Sequence, residues 1–556
     1  MKKRLSALLV LSMAVSLTAC GGGSSSGSGS GASSETTPAV HIAGIQNATT
    51  QTGGATEAAT TEEKVIDENK KRELVVSAAT EGKSFVAWDP DVSMSSNCIP
   101  FALQVYETPF KLSPTGEIEN MLATGYEWSE DDCHLTLHFR DDVYFSNGDP
   151  MTADDVVFSF ENTAPSKSGK TLWTNYESTE KIGDYDVVIH LSSPNASLIN
   201  TLAGRLSCIY DKKYYEQVDL KGYVENPIGS GPYKLVERVL ADHQTYELNE
   251  NYWNKEEGLP FYEKITLKYL SDSNTQMLAL ENGEIDVLLQ ASIGPFLKLG
   301  ADAPITYDAC QASSVLALQF NQNWGLTANE EFRKFLQYAI NRDEINVGVY
   351  EGLAEVTDTY GPMLCTGCPE PGTYTPVPDY DPEKAKQMLK DMGYNGEEFI
   401  LSCQSGTKAE QACVIIQGQM LNLGVNCTVK ALDQASYSAL QKLPEGWNTG
   451  MRSAPIPSMD LDSMRTNLSY DHKVANKAQY NPFQRSEELE DIFKKTMETA
   501  DEEVRKELFA QATSYCNEHA YYIPLINEFT VIGYNKNVKG VHAYPMDGLI
   551  YYKEWY

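Results

Sequence analysis

The chain has 556 residues, of which 42% are hydrophobic, 22% charged and 10% aromatic, a globular composition that excludes collagenous, polytopic and wholly disordered classes. Its 44 Lys and Arg stand against 77 Asp and Glu, a formal charge of −33; a field of that sign repels polyanions and excludes nucleic acid as a partner. Length alone predicts roughly three or four domain-sized units.

The first segment, MKKRLSALLVLSMAVSLTAC, carries three basic residues, an apolar run from Leu5 to Leu17 and small residues before Cys20. The run is too short to span a bilayer as a mature helix and has the layout of a secretory signal covering residues 1–19. Residues 20–72 are rich in Gly, Ser and Thr and hold too few large apolar side chains to fold, so they read as a flexible tether. The remaining body is expected outside the cytoplasm, and none of its segments approaches eighteen consecutive apolar residues. Ten cysteines follow Cys20. An even number outside the cytoplasm permits disulfides, but spacing fixes no pairing. Cys365-Thr-Gly-Cys368 is the one close pair; a local disulfide or two free thiols rank above zinc, because no second pair or histidines stand at suitable spacing.

Helix and strand signals alternate from Arg72 onward without a repeat. Glu73–Ala78 reads as a short apolar strand, and Leu135, Leu137 and Phe139 alternate along a half-buried one that puts His134 and His138 on the outward face. Thr152-Ala-Asp-Asp155 opens an amphipathic helix through Val156, Val157 and Phe160 as a capping-box variant. Gly283 stops a helix ahead of a buried strand at 285–289. Asn329 starts a helix with Phe332, Phe335, Leu336, Ala339 and Ile340 on one side. Asp381-Pro382 supplies an N-cap and a first-turn proline for a helix that Gly393 closes. Phe399–Cys403, a helix ending near Leu423 and a strand at 425–432 form a strand–helix–strand unit, hence a parallel pair with a right-handed crossover. Long charged helices follow at 487–500 and 502–518. The fold class is mixed α/β in more than one lobe.

Val105-Tyr-Glu107, the block from Phe145 through Asp149-Pro-Met-Thr-Ala-Asp-Asp155 to Ser159, Asn226-Pro-Ile-Gly-Ser-Gly-Pro-Tyr233, Asn251-Tyr-Trp253, Gly283-Glu-Ile-Asp286, Ala339-Ile-Asn-Arg-Asp343 and Tyr380-Asp-Pro-Glu-Lys-Ala-Lys386 stand in this order. Together they resemble the family 5 extracellular solute-binding proteins, receptors of peptide/nickel-type ABC importers. The resemblance covers the chain from about Leu74 to its end. It implies a two-lobed periplasmic-binding-protein-like fold of type II, with an inserted subdomain and a two-strand hinge. Lobe one would take 73–109, 227–313 and 531–556, the inserted subdomain 110–226, and lobe two 314–530. The small residues before Cys20 likewise resemble the bacterial lipoprotein box, which implies diacylation of Cys20 and a lipid anchor on the extracytoplasmic face of the cell membrane.

What the resemblance implies for the site is a cleft between lobes that closes on the guest. Met94, Ser95, Ser96 and Asn97 match the segment that lies along the ligand backbone in similar peptide receptors. Trp447, Met451, Arg452, Ser453 and Ala454 match the recognition strand of lobe two. Peptide receptors commonly carry an aspartate where Ala454 stands, so a guest ammonium would lack its counter-charge there; Asp460 and Asp462 come later. Arg452 is open to two readings, partner of a ligand carboxylate or exposed strand-end residue. Trp447 and Trp324 could stack on a guest or serve the core. The expected function is capture of oligopeptides, or a similar elongated solute, by a monomer that delivers them to ABC permease subunits, with no cofactor, metal or catalytic group. The rival readings are a lipid-anchored hydrolase, for which the body carries no Gly-x-Ser-x-Gly elbow and no His-Glu-x-x-His motif, the pattern at Gly23–Gly27 lying in the Gly/Ser tether, a binder of oligosaccharide or metal chelate, and a sensor or chaperone on the same fold.

Overall fold

The structure, a computed structural model, describes residues 72–79, 84, 86–89, 99–255, 260–456, 458–471, 480–546 and 552–556. Cys20 and Met94, Ser95, Ser96 and Asn97 lie outside the described residues. No described helix is long and apolar enough to cross a membrane.

The frame is an eleven-stranded sheet. Its path runs Cys427–Leu432, Phe399–Gln404, Thr449–Pro455, Ile305–Phe320, Tyr522–Asn535, Val287–Leu288, Glu73–Ala78, Lys264–Tyr269, His243–Leu248 and Tyr233–Val239, with Glu355–Val356 pairing beside Tyr522–Asn535. Phe399–Gln404 and Cys427–Leu432 are parallel, with Phe399 opposite Cys427, and the helix Lys408–Asn422 crosses between them. The strand–helix–strand unit read from the sequence therefore stands. A second sheet of four antiparallel strands, in the order Ala123–Trp128, His134–Phe139, Asp186–Leu191 and Tyr176–Lys181, lies within the same body.

Local chemistry explains most element starts. Asp155 reaches back to the Thr152 N–H at 2.8 Å, and the helix Ala153–Thr163 begins there. Asn329, Asp381 and Asp501 each accept a backbone N–H one turn into their helices, which fills donors the helix cannot satisfy internally. Boundaries moved where a second demand intervened. The helix expected over 487–500 ends at Thr496, because the chain must turn to present Asp501 as the next cap. The strand expected at 285–289 narrows to Val287–Leu288, clipped by Gly283 with φ +70° on one side and by short pairing partners on both edges.

Two large cores divide the molecule into its two lobes. One joins Leu74, Val76, Ile265 and Leu267 of the main sheet to Leu135, Leu137, Val187 and Ile189 of the small sheet. The other holds Val315, Tyr360, Ala454, Leu461, Phe509 and Tyr522. Ile305–Phe320 and Tyr522–Asn535 run antiparallel through both. Their register shifts between Leu316 and Ala317, where Leu525 is left over, and more widely in the middle: Gln311 faces Phe529 and Val315 faces Asn527, leaving Ala312, Ser313 and Ser314 opposite Glu528 alone. A bulge of this kind bends a strand pair locally without ending it, so the two long strands are interrupted at 312–314 and 528 while their pairing continues on either side.

Candidate functional site

Three strands on the far side of the hinge, Phe399–Gln404, Cys427–Leu432 and Thr449–Pro455, run parallel to one another. Their carboxyl ends are Gln404, Leu432 and Pro455, and Pro455 pairs with Ser314 in the bulge. Ligands of open α/β sheets bind in the crevice outside such carboxyl ends, where loops and helix starts converge. The Pro455–Ser314 pairing brings that end of the sheet to the bulge of the two long strands.

The side chains gathered there start with Glu528. It is buried, and its two carboxylate oxygens accept from the Ser314 hydroxyl at 3.0 Å and the Tyr350 hydroxyl at 2.7 Å. Burial and then the Glu528 charge push the Tyr350 phenol well above its ordinary range, so it stays a donor. The Tyr350 and Phe529 rings meet edge to face at 6.0 Å, and the Lys408 ammonium lies 4.8 and 5.2 Å from their centroids. Lys408 is the first residue of its helix, just past the carboxyl end of Phe399–Gln404. An acid, a cation, an aromatic pair and hydroxyls are thus held at one hinge. None of these residues was singled out from sequence; the signal for Lys408 was there, as Gln404-Ser-Gly-Thr-Lys408 between a strand and a helix.

The recognition strand divides its candidates by the two-residue period of β-structure. Met451 and Ser453 point to one face, Arg452 and Ala454 to the other. Met451 is fully buried, and its backbone carbonyl accepts from Tyr437; Ser453, two residues on, is exposed. Ala454 packs in the core with Val315 and Tyr360. Arg452 is half-buried, donates to Asn467 Oδ1 at 3.0 Å and hydrogen-bonds the Tyr360 hydroxyl. Trp447 is fully buried with its indole N–H on the Leu443 carbonyl at 3.0 Å, the core placement of the two left open for it. Trp447, Met451 and Ala454 present no surface to a guest in this conformation, whereas Arg452 and Ser453 do.

Both later aspartates are already paired. Asp460 has no exposed side-chain surface and takes two hydrogen bonds from Arg505, at 2.7 and 3.0 Å. Asp462 holds Arg465 in the same two-pronged way at 2.7 and 2.8 Å. Neither carboxylate is set up to receive a guest ammonium.

On the other lobe, Ala87 donates its N–H to the Tyr210 hydroxyl at 3.0 Å, and Trp88 packs edge-on against Tyr210 at 4.7 Å and Phe158 at 5.6 Å. Among the described residues the buried Trp88 indole N–H meets no acceptor. The lobes touch directly as well: Asn200 Nδ2 donates to Thr366 Oγ1 at 3.0 Å and to the Met459 carbonyl at 3.2 Å. Met459 packs into the first core, and Leu461, two residues on, into the second. No group of three or more His, Cys, Asp or Glu among the described residues is placed to hold a metal ion.

Residues 117–473 match the family model for bacterial extracellular solute-binding proteins, family 5 Middle. The glutathione-binding protein GsiB of Escherichia coli O1:K1 is 25% identical over 495 residues, 86% of this chain and 93% of that protein. Among solved structures, the periplasmic binding protein DppA from Helicobacter pylori in complex with the peptide STSA superposes with a TM-score of 0.73 at 23% identity, covering 87% of this chain and 98% of that one. The oligopeptide-binding protein AppA from Bacillus subtilis, in complex with a nonapeptide, does so with a TM-score of 0.72 at 21% identity over 87% and 98% of the two chains.

Proposed function

The chain belongs to the family 5 bacterial extracellular solute-binding proteins, and on that premise we propose that it captures oligopeptides, or similarly elongated solutes, in the cleft between its lobes and hands them to an ABC importer. The observation that carries the reading is the convergence of three parallel strand ends on a bulged two-strand hinge lined by Lys408, Tyr350, Ser314 and Glu528. Closure about that hinge buries a guest from both sides, so occupancy and shape become one signal to the transporter. The family is one of binders and not of enzymes.

A peptide has charged ends, and the site offers groups of both signs. Lys408 and Arg452 suit a carboxylate. Asp460 and Asp462 are committed to arginines; Glu528 is buried in this conformation and would meet an ammonium at the hinge through the acceptor positions that Ser314 and Tyr350 leave open, two of a carboxylate's about four. The segment Met94–Asn97 follows the first strand and would supply main-chain hydrogen bonds from the opposite lobe, with Trp88 beside it. Ser453 completes the lobe-two side. We place the division between lobes at 313/314 and 530/531, supported by the bulge, with 110–226 as the inserted subdomain. The sequence around Cys20 supports a lipid anchor on the extracytoplasmic face, and the tether a monomer standing off the membrane.

The test is native mass spectrometry of the gently purified full chain, followed by thermal shift with pooled peptides; a guest at a hundred times its Kd adds about 2.7 kcal/mol. Peptides are expected to shift the transition, and Glu528→Gln to weaken those with a free amino end about tenfold or more while N-acetylated ones change little. Shifts with oligosaccharides and none with peptides would overturn the peptide reading.

A further inference from the structure

The small antiparallel sheet carries a side-chain arrangement that the cleft does not use. Its inner face is apolar, with Leu135, Leu137, Val187 and Ile189 fully buried. The outer face bears His134 and His138 on one strand and His190 on the next. His134 and His190 stand directly opposite each other in the ladder, their Nδ1 atoms are 2.9 Å apart, and their rings meet at 74°. His190 turns its other nitrogen, Nε2, to the Glu180 carboxylate at 3.2 Å.

This arrangement fixes protons as well as positions. A carboxylate only accepts, so a neutral His190 bonded to Glu180 carries its hydrogen on Nε2 and has its Nδ1 lone pair on the side of His134. In the ion-free state His134 donates Nδ1–H to that lone pair. A tautomer change, moving the His134 proton to its Nε2, frees a second Nδ1 lone pair 2.9 Å from the first, and a rotation of each ring turns both toward one ion. Two nitrogens bound at roughly 2.0–2.1 Å and at right angles around an ion stand about 2.9 Å apart. The carboxylate behind a ligating imidazole is the partner that orients such ligands and raises their basicity.

We propose that His134 and His190 form a two-imidazole chelate for one divalent transition cation that takes imidazole in square-planar or tetragonal geometry, Cu2+ or Ni2+, with Glu180 as the positioning residue behind His190. Water fills the other coordination positions, because no third protein donor among the described residues completes the set. Asp131, an acid close enough to interact with His134, is engaged by the Ser129 hydroxyl at 2.6 Å and the Cys133 N–H at 3.2 Å. His138 is engaged separately, its Nδ1 on Asp186 at 2.7 Å. The site lies on the outer face of the inserted subdomain's sheet and is independent of what the cleft binds.

The experiment is calorimetric titration of the metal-stripped full chain with CuSO4 and with NiCl2, and pulsed electron paramagnetic resonance of the Cu2+ form to count coordinated imidazoles. One equivalent with two imidazoles is expected. His134→Gln and His190→Gln should each weaken the ion at least tenfold and reduce the count to one. Glu180→Gln, which keeps both ligands and sits on an exposed strand, should weaken it about tenfold with the count unchanged. His138→Gln and Cys133→Ser should leave both readouts as in the parent. A tight site that survives His134→Gln or His190→Gln with two imidazoles, one abolished by Cys133→Ser, or no tight equivalent at all would overturn the proposal and leave the pair as an N–H···N hydrogen bond.

Discussion

Arg505 and Asp460 show how far a residue's type can mislead about its task. An aspartate shortly after the recognition strand looks available to a guest, yet the fold spends it on an arginine whose side chain is only 2% exposed, while its own is not exposed at all. Removing one member of such a pair leaves an uncompensated charge in the core, typically worth 3–5 kcal/mol. Arg505→Met should therefore lose about that much stability in urea unfolding, and pairing it with Asp460→Asn should recover a large part. A loss below about 1 kcal/mol for the single variant would mean that Asp460 reaches water or another partner. The recognition strand carries the complementary lesson: its alternation sends Met451 and Ala454 into packing on opposite faces and leaves Arg452 and Ser453 as the residues with surface.

At the scale of elements, helix starts tie the second lobe together as well as capping themselves. Glu330, in the first turn of Glu330–Ala339, bonds Lys334 Nζ at 2.7 Å and His519 Nδ1 at 3.0 Å, just past the end of the long helix Glu502–Glu518. Burial acts to raise its pKa, but hydrogen bonds from Lys334 and His519 outweigh it, and the carboxyl sits below its ordinary value. A lowered acid pKa in the folded state means stability that is complete above the ordinary glutamate range, about 4.3, and is lost as pH falls through the lowered value. Glu330→Gln should flatten that acid limb and leave the neutral-to-alkaline slope as in the parent, read by thermal unfolding across pH 3–7. A variant whose acid limb overlays the parent's would show that the contact carries no linkage. The capping residues Asn329, Asp381 and Asp501 were legible in the sequence because a cap is a local bargain between one side chain and the next turn. The early stop at Thr496 was not, since it answers to the start of the following helix.

For the molecule as a whole, the contact of Asn200 with Thr366 and Met459 is a direct polar bridge between segments 166 and 259 residues apart in the chain. Two buried hydrogen bonds of this kind contribute on the order of 1 kcal/mol each, enough to bias an open–closed equilibrium severalfold. Asn200→Ala should weaken guest affinity about five- to tenfold, while the guest-saturated form keeps the parent's radius of gyration in solution scattering. An unchanged affinity would mean that the bridge is equally made in the open and closed states. The hinge itself, with three residues opposite one at 312–314 and 528, is where such motion costs least, because the ladder there is already interrupted.

The sequence by itself determined the classes of element, their caps, the parallel strand–helix–strand unit and membership in a two-lobed family, since each rests on short-range periodicity or on ordered motifs. It also bounded the partners by charge. Tertiary structure alone decided which polar side chains converge: Glu528 meets Tyr350 178 residues away, Asp460 meets Arg505 45 away, and His134 meets His190 56 away. Those meetings depend on strand register and on the crossing of distant segments, and no local pattern encodes a register between strands that the chain visits so far apart.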